Sequence, residues 1–113
     1  MHELSIAEGV LQVVDEQLRA QGATRVHALT LAVGALSGVV PEALRFAWSA
    51  VARGTPCDGA TLVIEEVPVA CYCAACAREF AAAPGDYACP ACAAVSGEVR
   101  RGRELHLMQM EVS

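Results

Sequence analysis

Apolar residues recur three and four positions apart from Ala7 through Leu11 and Val14 to Leu18, with Val10 beside them. That spacing gathers side chains on one face of a helix and predicts a helix over 5–22. Ser5 and Glu8 stand in the S-x-x-E arrangement of a capping box, which would open it. Gly22 suits the turn that closes it. Residues 1–3 are then expected as a short extended stub on a rigid support. From 25 to 33 the period changes to two, so a strand is expected with His27, Leu29, Leu31 and Val33 on one face. A second helix is predicted over 41–54. Pro41 fits its first position, where the missing N–H costs nothing. Leu44, Ala47, Trp48 and Val51 form its apolar stripe, and Gly54 ends it. Strands are expected over 60–67, closed by Pro68, and over 103–112.

Between these last two strands, 69–102 has no clear amphipathic period and holds five of the six cysteines. The order is helix, strand, helix, strand, cysteine-rich insert, strand. This predicts an α+β fold: two helices packed on a small three-stranded sheet, with an inserted zinc-ribbon-like module. The expected division is an α+β domain over 1–68 and 103–113 and an inserted metal-binding domain over 69–102. A chain of 113 residues with much of its hydrophobic content in alanine has a modest core and gains from a staple.

The insert supplies a candidate staple. Cys73 and Cys76 form one C-x-x-C pair, Cys89 and Cys92 a second, and the twelve residues 77–88 separate them. Each pair sets two sulfurs on one side of a tight knuckle, and two knuckles complete a tetrahedral thiolate site. Four protein sulfurs leave no open position, so the expected ion is structural zinc. With no evident core of its own, the insert should draw its folding energy from the metal. Iron in the same shell would instead give a rubredoxin-like electron carrier. Cys71, two residues before Cys73, reads as a small buried strand residue that could compete as a ligand. Cys57 is isolated and reads as inert.

Charge narrows the function. The net charge is −5, with eight arginines and no lysine, which argues against a nucleic-acid partner. Arg100, Arg101 and Arg103 read as a solvated surface near a turn. The residues that follow Met1 do not form a secretory signal, and no apolar run is long enough to cross a bilayer, so no membrane insertion is expected. A cytoplasmic location follows as an expectation, with thiols kept reduced for a metal. No catalytic constellation, phosphate loop or dinucleotide fingerprint is present, so the chain does not read as an enzyme.

The chain opens Met1-His2-Glu3-Leu4-Ser5. A terminal amine, the first backbone nitrogens and the His2 imidazole can close fused chelate rings around Ni(II) or Cu(II), with Glu3 offering its backbone nitrogen or a nearby carboxylate. On chemistry alone a histidine at position 2 is not diagnostic. The motifs "MHELSIA", "LSGVVPEALRFAW", "IEEVP", the paired cysteines and a closing "GREL" strand together are. The chain resembles, end to end, the HypA family of nickel metallochaperones for hydrogenase maturation, of which HybF is a paralogue. The resemblance implies that His2, with the Met1 amine and the Glu3 backbone, binds Ni(II). It implies that Cys73, Cys76, Cys89 and Cys92 bind zinc. It implies a HypB-type GTPase and the large subunit of a [NiFe]-hydrogenase as partners, with urease maturation proteins as a further possibility for the family. Ala77 departs from the glycine that many members carry after the first cysteine pair, and Cys71 is an extra thiol.

His27 and His106 are expected as half-buried sheet residues. The alternation of His106, Met108 and Met110 reads as packing on one strand face. The competing function classes are a structural zinc-ribbon adaptor and a nucleic-acid-binding module, neither delivering nickel.

Overall fold

The protein is described by a computed structural model over residues 2–113. Helix α1 runs His2–Gln21, strand β1 Val26–Gly34 and helix α2 Pro41–Val51. Strands β2 (Thr61–Val67), β3 (Val69–Cys73), β4 (Arg78–Ala82), β5 (Glu98–Arg101) and β6 (Leu105–Val112) follow. They form two three-stranded sheets, in the orders β2-β1-β6 and β4-β3-β5. The α+β architecture with a cysteine-rich insert is the one expected, and the insert proves to carry a sheet of its own.

In the first sheet β1 is central. It pairs parallel with β2 and antiparallel with β6. The parallel pair needs a crossover, and α2 supplies it. Pro41 stands in the first turn of α2, and Leu44, Ala47 and Trp48 are its buried face. They pack with Ala7, Val14 and Leu18 of α1 and with Leu29, Leu31 and Val33 of β1. Cys57 lies in this core, 1% exposed, where burial pushes its thiol up.

Three local expectations are corrected. First, α1 begins at His2, so residues 2 and 3 are helical and Ser5 lies within the helix instead of capping it. Gly22 does end it, at φ 67°, with the Ala23 N–H donating back to the Leu18 carbonyl at 3.0 Å. Second, His27 does not share a face with Leu29, Leu31 and Val33. The β1–β6 register shifts between Val26 and Ala28, which makes His27 the extra residue of a bulge. Its exposed ring meets the Ser113 hydroxyl, Nε2 to Oγ 2.7 Å. Third, a register shift opposite Thr30 and Leu31 leaves Met108 as the unpaired residue of β6. The alternation therefore breaks there. Leu107, Met110 and Val112 pack against the core, whereas His106 and Met108 are exposed.

The second sheet does have a core, contrary to the sequence expectation. Val69, Cys71, Cys73, Phe80 and Cys89 are buried together, with Val99 and Tyr87 packed against them. Leu36 completes this cluster from outside the insert, on the turn that leaves β1. The arginines 100 and 101 are not merely solvated. Arg101 Nη2 reaches Glu79 Oε1 at 2.8 Å, and the Arg100 guanidinium pairs with Glu98 and lies 4.0 Å over the Tyr72 ring. Among the described residues no helix is long and apolar enough to cross a membrane.

The two sheets meet where Gly34 and Gly102 cross. A Cβ on Gly34 would sit 2.1 Å from the Gly102 carbonyl oxygen. Gly102 itself has φ 121°, with Val69 Cα 3.1 Å from where its Cβ would be. The close approach lets the Leu36 N–H donate to the Gly102 carbonyl (2.6 Å) and the Gly34 N–H to the Glu104 carbonyl (2.7 Å). Since the obstructing atoms are backbone, Gly34→Ala forces the crossing apart. It should cost about 3 kcal/mol in urea unfolding, the upper range for overpacking. Gly97→Ala, at a position with open space, should stay within about 0.5 kcal/mol.

Candidate metal centre

The knuckle turns bring the two cysteine pairs together. Cys73 ends β3 and Cys76 lies in the turn before β4, and the turn folds the Cys76 N–H onto Cys73 Sγ at 3.4 Å. Cys89 and Cys92 sit on a second turn, closed by the Ala93 N–H donating to the Cys89 carbonyl at 2.8 Å. All four sulfurs lie within 4.8 Å of one another. Cys73 and Cys92 are 3.5 Å apart and Cys76 and Cys89 4.0 Å. A tetrahedron with Zn–S bonds of 2.3 Å has edges of about 3.8 Å. The sulfurs therefore fit a tetrahedral ion such as zinc and need little rearrangement to close on it.

The electrostatics agree. Backbone N–H groups of Ala91 and Cys92 point at Cys89 and pull its thiol down to about 7. Its neighbours cannot all ionise alongside it. Hydrogen bonding with Cys92 and Cys73 pushes Cys76 up to about 12. Four thiolates this close require a cation among them, which is a structural metal's contribution. Cys73 and Cys89 are buried and Cys92 is at the surface, so the ion would have protein on one side and a route in on the other.

Cys71 lies outside this cluster. It is fully buried in mid-β3, opposite Phe80 on β4 and Val99 on β5. Its sulfur is part of the second core, as the bland sequence reading held.

The sequence singled out Ala77 as a departure at the first knuckle. It lies at φ 52°, and its counterpart Ala93 after the second knuckle lies at φ 63°. Ala93 was missed, although the same position after a C-x-x-C pair could have marked it. Both alanines hold a left-handed conformation that costs an L-residue about 1–2 kcal/mol.

The other candidate site is the start of α1. Met1 and its amine lie outside the described residues. His2 is exposed at the first described position, and its Nδ1 is 3.9 Å from Glu3 Oε2. The Glu3 carboxylate has two backbone partners. It accepts from its own N–H and, at 3.4 Å, from the N–H of Val40, the residue that caps α2. These bonds and the helix N-terminus favour the charged form, and the carboxyl is held below its ordinary range. Sequence reasoning considered Glu3 only beside a metal, because its partner is 37 residues away.

Three comparisons with known proteins agree. The family model for "Hydrogenase/urease nickel incorporation, metallochaperone, hypA" matches residues 1–112. Hydrogenase maturation factor HypA of Picosynechococcus sp. is 45% identical over 112 residues, covering 99% of each chain. That of Acidithiobacillus ferrooxidans is 43% identical over the same length and coverage. The fold is similar to the solution structure of the Ni metallochaperone HypA from Helicobacter pylori. Its TM-score is 0.70 at 20% identity, over 97% of this chain and 96% of that one. A second solution structure of a HypA protein gives 0.74 at 22% identity, over 100% and 97%.

Two measurements test this geometry. Ala77→Gly and Ala93→Gly should each stabilise the metal-loaded protein by about 1 kcal/mol, because the relief of left-handed strain exceeds the added chain entropy. Competition of each variant with a chelator for zinc reads this directly. The Glu3 bonds stabilise the fold above the ordinary carboxylate pKa of about 4, and this is lost as pH falls through the lower folded value. The stability gap between the native protein and Glu3→Gln should therefore be widest near neutrality and close on acidification, as followed by urea unfolding against pH.

Proposed function

The chain belongs to the HypA family of hydrogenase and urease nickel-incorporation metallochaperones, and from that premise we propose that it binds Ni(II) at its amino terminus and delivers it to a [NiFe]-hydrogenase during maturation. The family is one of maturation factors, not of enzymes. The cargo ligands in this reading are the Met1 amine, the His2 imidazole and the Glu3 backbone nitrogen. The resident ion is structural Zn(II) on Cys73, Cys76, Cys89 and Cys92.

The observation that carries the nickel reading is the position of His2. Its side chain is exposed at the start of α1, where the His2 and Glu3 amides precede the first intrahelical acceptors. Those nitrogens can lose protons to a metal without breaking the helix ladder. Loading has a local consequence. A five-membered chelate ring brings successive nitrogens towards an eclipsed arrangement, whereas helical ψ is about −42°. The first turn must flatten, and the Glu3 N–H must leave its own carboxylate. The Val40 N–H stays available to hold that carboxylate. Binding that needs deprotonated nitrogen also makes release sensitive to pH, as delivery requires.

In this reading 1–68 and 103–113 form the nickel-binding domain and 69–102 the zinc-binding domain. A HypB-type GTPase supplies the nucleotide hydrolysis for which this chain has no phosphate loop. The hydrogenase large subunit receives the ion, and urease maturation proteins are partners of the same kind. The setting is the cytoplasm, where the thiols remain reduced.

Calorimetric titration of Ni(II) into the zinc-loaded, untagged protein tests the proposal. The native chain should bind one ion tightly. His2→Ala and a form extended before Met1 should each lose that binding, with the zinc content unchanged. Equal binding by all three would place nickel elsewhere and overturn the assignment.

A further inference from the structure

The four sulfurs of the cysteine cluster do not meet solvent equally. Cys92 is exposed and Cys76 half-buried, whereas Cys73 and Cys89 are buried at 2% and 3% exposure. Cys92 Sγ lies 3.5 Å from Cys73 Sγ on the other knuckle, closer than the edge of about 3.8 Å that a zinc tetrahedron sets. Cys76 and Cys89 make the second contact of this kind, at 4.0 Å. Both contacts run between the knuckles. Cys57 and Cys71 lie in the two cores, each 1% exposed or less.

Resting on the zinc assignment above, we propose that the cluster is an oxidation site for hydroperoxides, in which Cys92 is oxidised first and Cys73 resolves it into a disulfide between the knuckles. Exposure sets the order, because a small hydrophilic oxidant reaches a surface sulfur before buried ones. The Cys92 sulfur attacks a peroxide oxygen. The O–O bond breaks, and the departing hydroxide takes a proton and leaves as water. Cys92 is then a sulfenic acid, two electrons more oxidised. Cys73, kept from the oxidant by its burial, attacks the Cys92 sulfur. The S–S bond forms, the S–O bond breaks, and the second oxygen leaves as water. Two thiols and one hydrogen peroxide thus give one disulfide and two waters. The cluster has lost two of its four donors, and zinc binding goes with them. The fold is spared. Cys73 keeps its place beside Phe80, Val69 and Leu36. A covalent link between residues 19 apart takes over from the metal as staple. In a reducing compartment such a bridge is transient, and thiols reverse it.

Treating the zinc-loaded full chain with stoichiometric hydrogen peroxide tests this, with zinc release read by a chelating dye and disulfides mapped by mass spectrometry. Trypsin cuts after Arg53, Arg78 and Arg100. A bridge between knuckles therefore joins two peptides, and a bridge within one knuckle joins none. Zinc should be released in step with a Cys73–Cys92 bridge, with Cys57 and Cys71 still free thiols and the circular dichroism retained. A thiol reductant should restore zinc binding. In Cys73→Ser, sulfenic acid should accumulate on Cys92 and be trapped by dimedone. The map of the native chain decides the matter even if that variant folds poorly. Bridges within the C-x-x-C pairs, first oxidation at another cysteine, or zinc retained against excess peroxide overturns the proposal. The zinc content before treatment reads the metal assignment separately: a chain without zinc refutes that assignment, and the disulfide map still decides the order of oxidation.

Discussion

Two backbones cross at Gly34 and Gly102, and the arrangement of the whole molecule depends on how closely they do so. A carbonyl oxygen occupies the space in which a side chain of residue 34 would begin. Only because that side chain is absent can the Leu36 N–H reach the Gly102 carbonyl. The Ala35 N–H meets the Val67 carbonyl at 2.9 Å in the same region, and the Gly102 N–H meets Glu104 Oε1 at 2.8 Å. The exit of β1, the passage from β2 to β3 and the passage from β5 to β6 are thus tied by backbone hydrogen bonds. Short, mutually bonded connections of this kind hold two sheets in register where a flexible linker would not.

The second sheet could not stand alone on apolar burial. Its core is the buried Phe80 ring with Tyr87 packed against it, a few small aliphatic side chains and the cysteines themselves. Two of the sulfurs in that core, Cys73 and Cys89, also belong to the four-sulfur cluster. The metal site and the hydrophobic core are therefore one structure viewed from two sides. An ion that draws in the four sulfurs also seats Phe80 and Val69, and its binding energy becomes folding energy. Leu36 adds to this core from the first sheet, so the insert gains apolar contact that its own sequence does not contain.

What was legible in the sequence follows from the range of the interactions that decide each feature. The stripe of α2, with Pro41 before Leu44, Ala47 and Trp48, is set by neighbours three or four residues away and was read correctly. The C-x-x-C pairs were legible for the same reason, since each knuckle is a local turn and the tetrahedral site needs only two. The errors lie where a distant partner decides. The bulges at His27 and Met108 exist only in the pairing of β1 with β6, and period-two reading assumes an unbroken register. The start of α1 was placed at Ser5 because the capping box is a local signal. In the structure Glu3 instead takes up Val40. The small core of the insert was missed because it gathers Val69, Cys71 and Phe80 with ligand cysteines across three strands and shows no amphipathic period.

These distant contacts form an unbroken series across the molecule. The turn that bears His2 is fastened through the Glu3 carboxylate to the Val40 N–H, at the cap of α2. Between Leu36 and Val40 the chain leaves its turn at Ser37 and runs extended into α2, with the Ser37 hydroxyl accepting from the Val39 N–H at 3.2 Å. Leu36 then packs among Cys71, Cys73 and Val69. The first step runs through the exposed Glu3 carboxylate, and the later ones through backbone bonds and packing. Beyond Glu3, a shift is absorbed by backbone hydrogen bonds or by close packing, and packed interiors yield in discrete rearrangements more readily than by continuous stretch. The contacts that hold the two modules in place thus run without a break from the start of α1 to the core around the cysteine cluster.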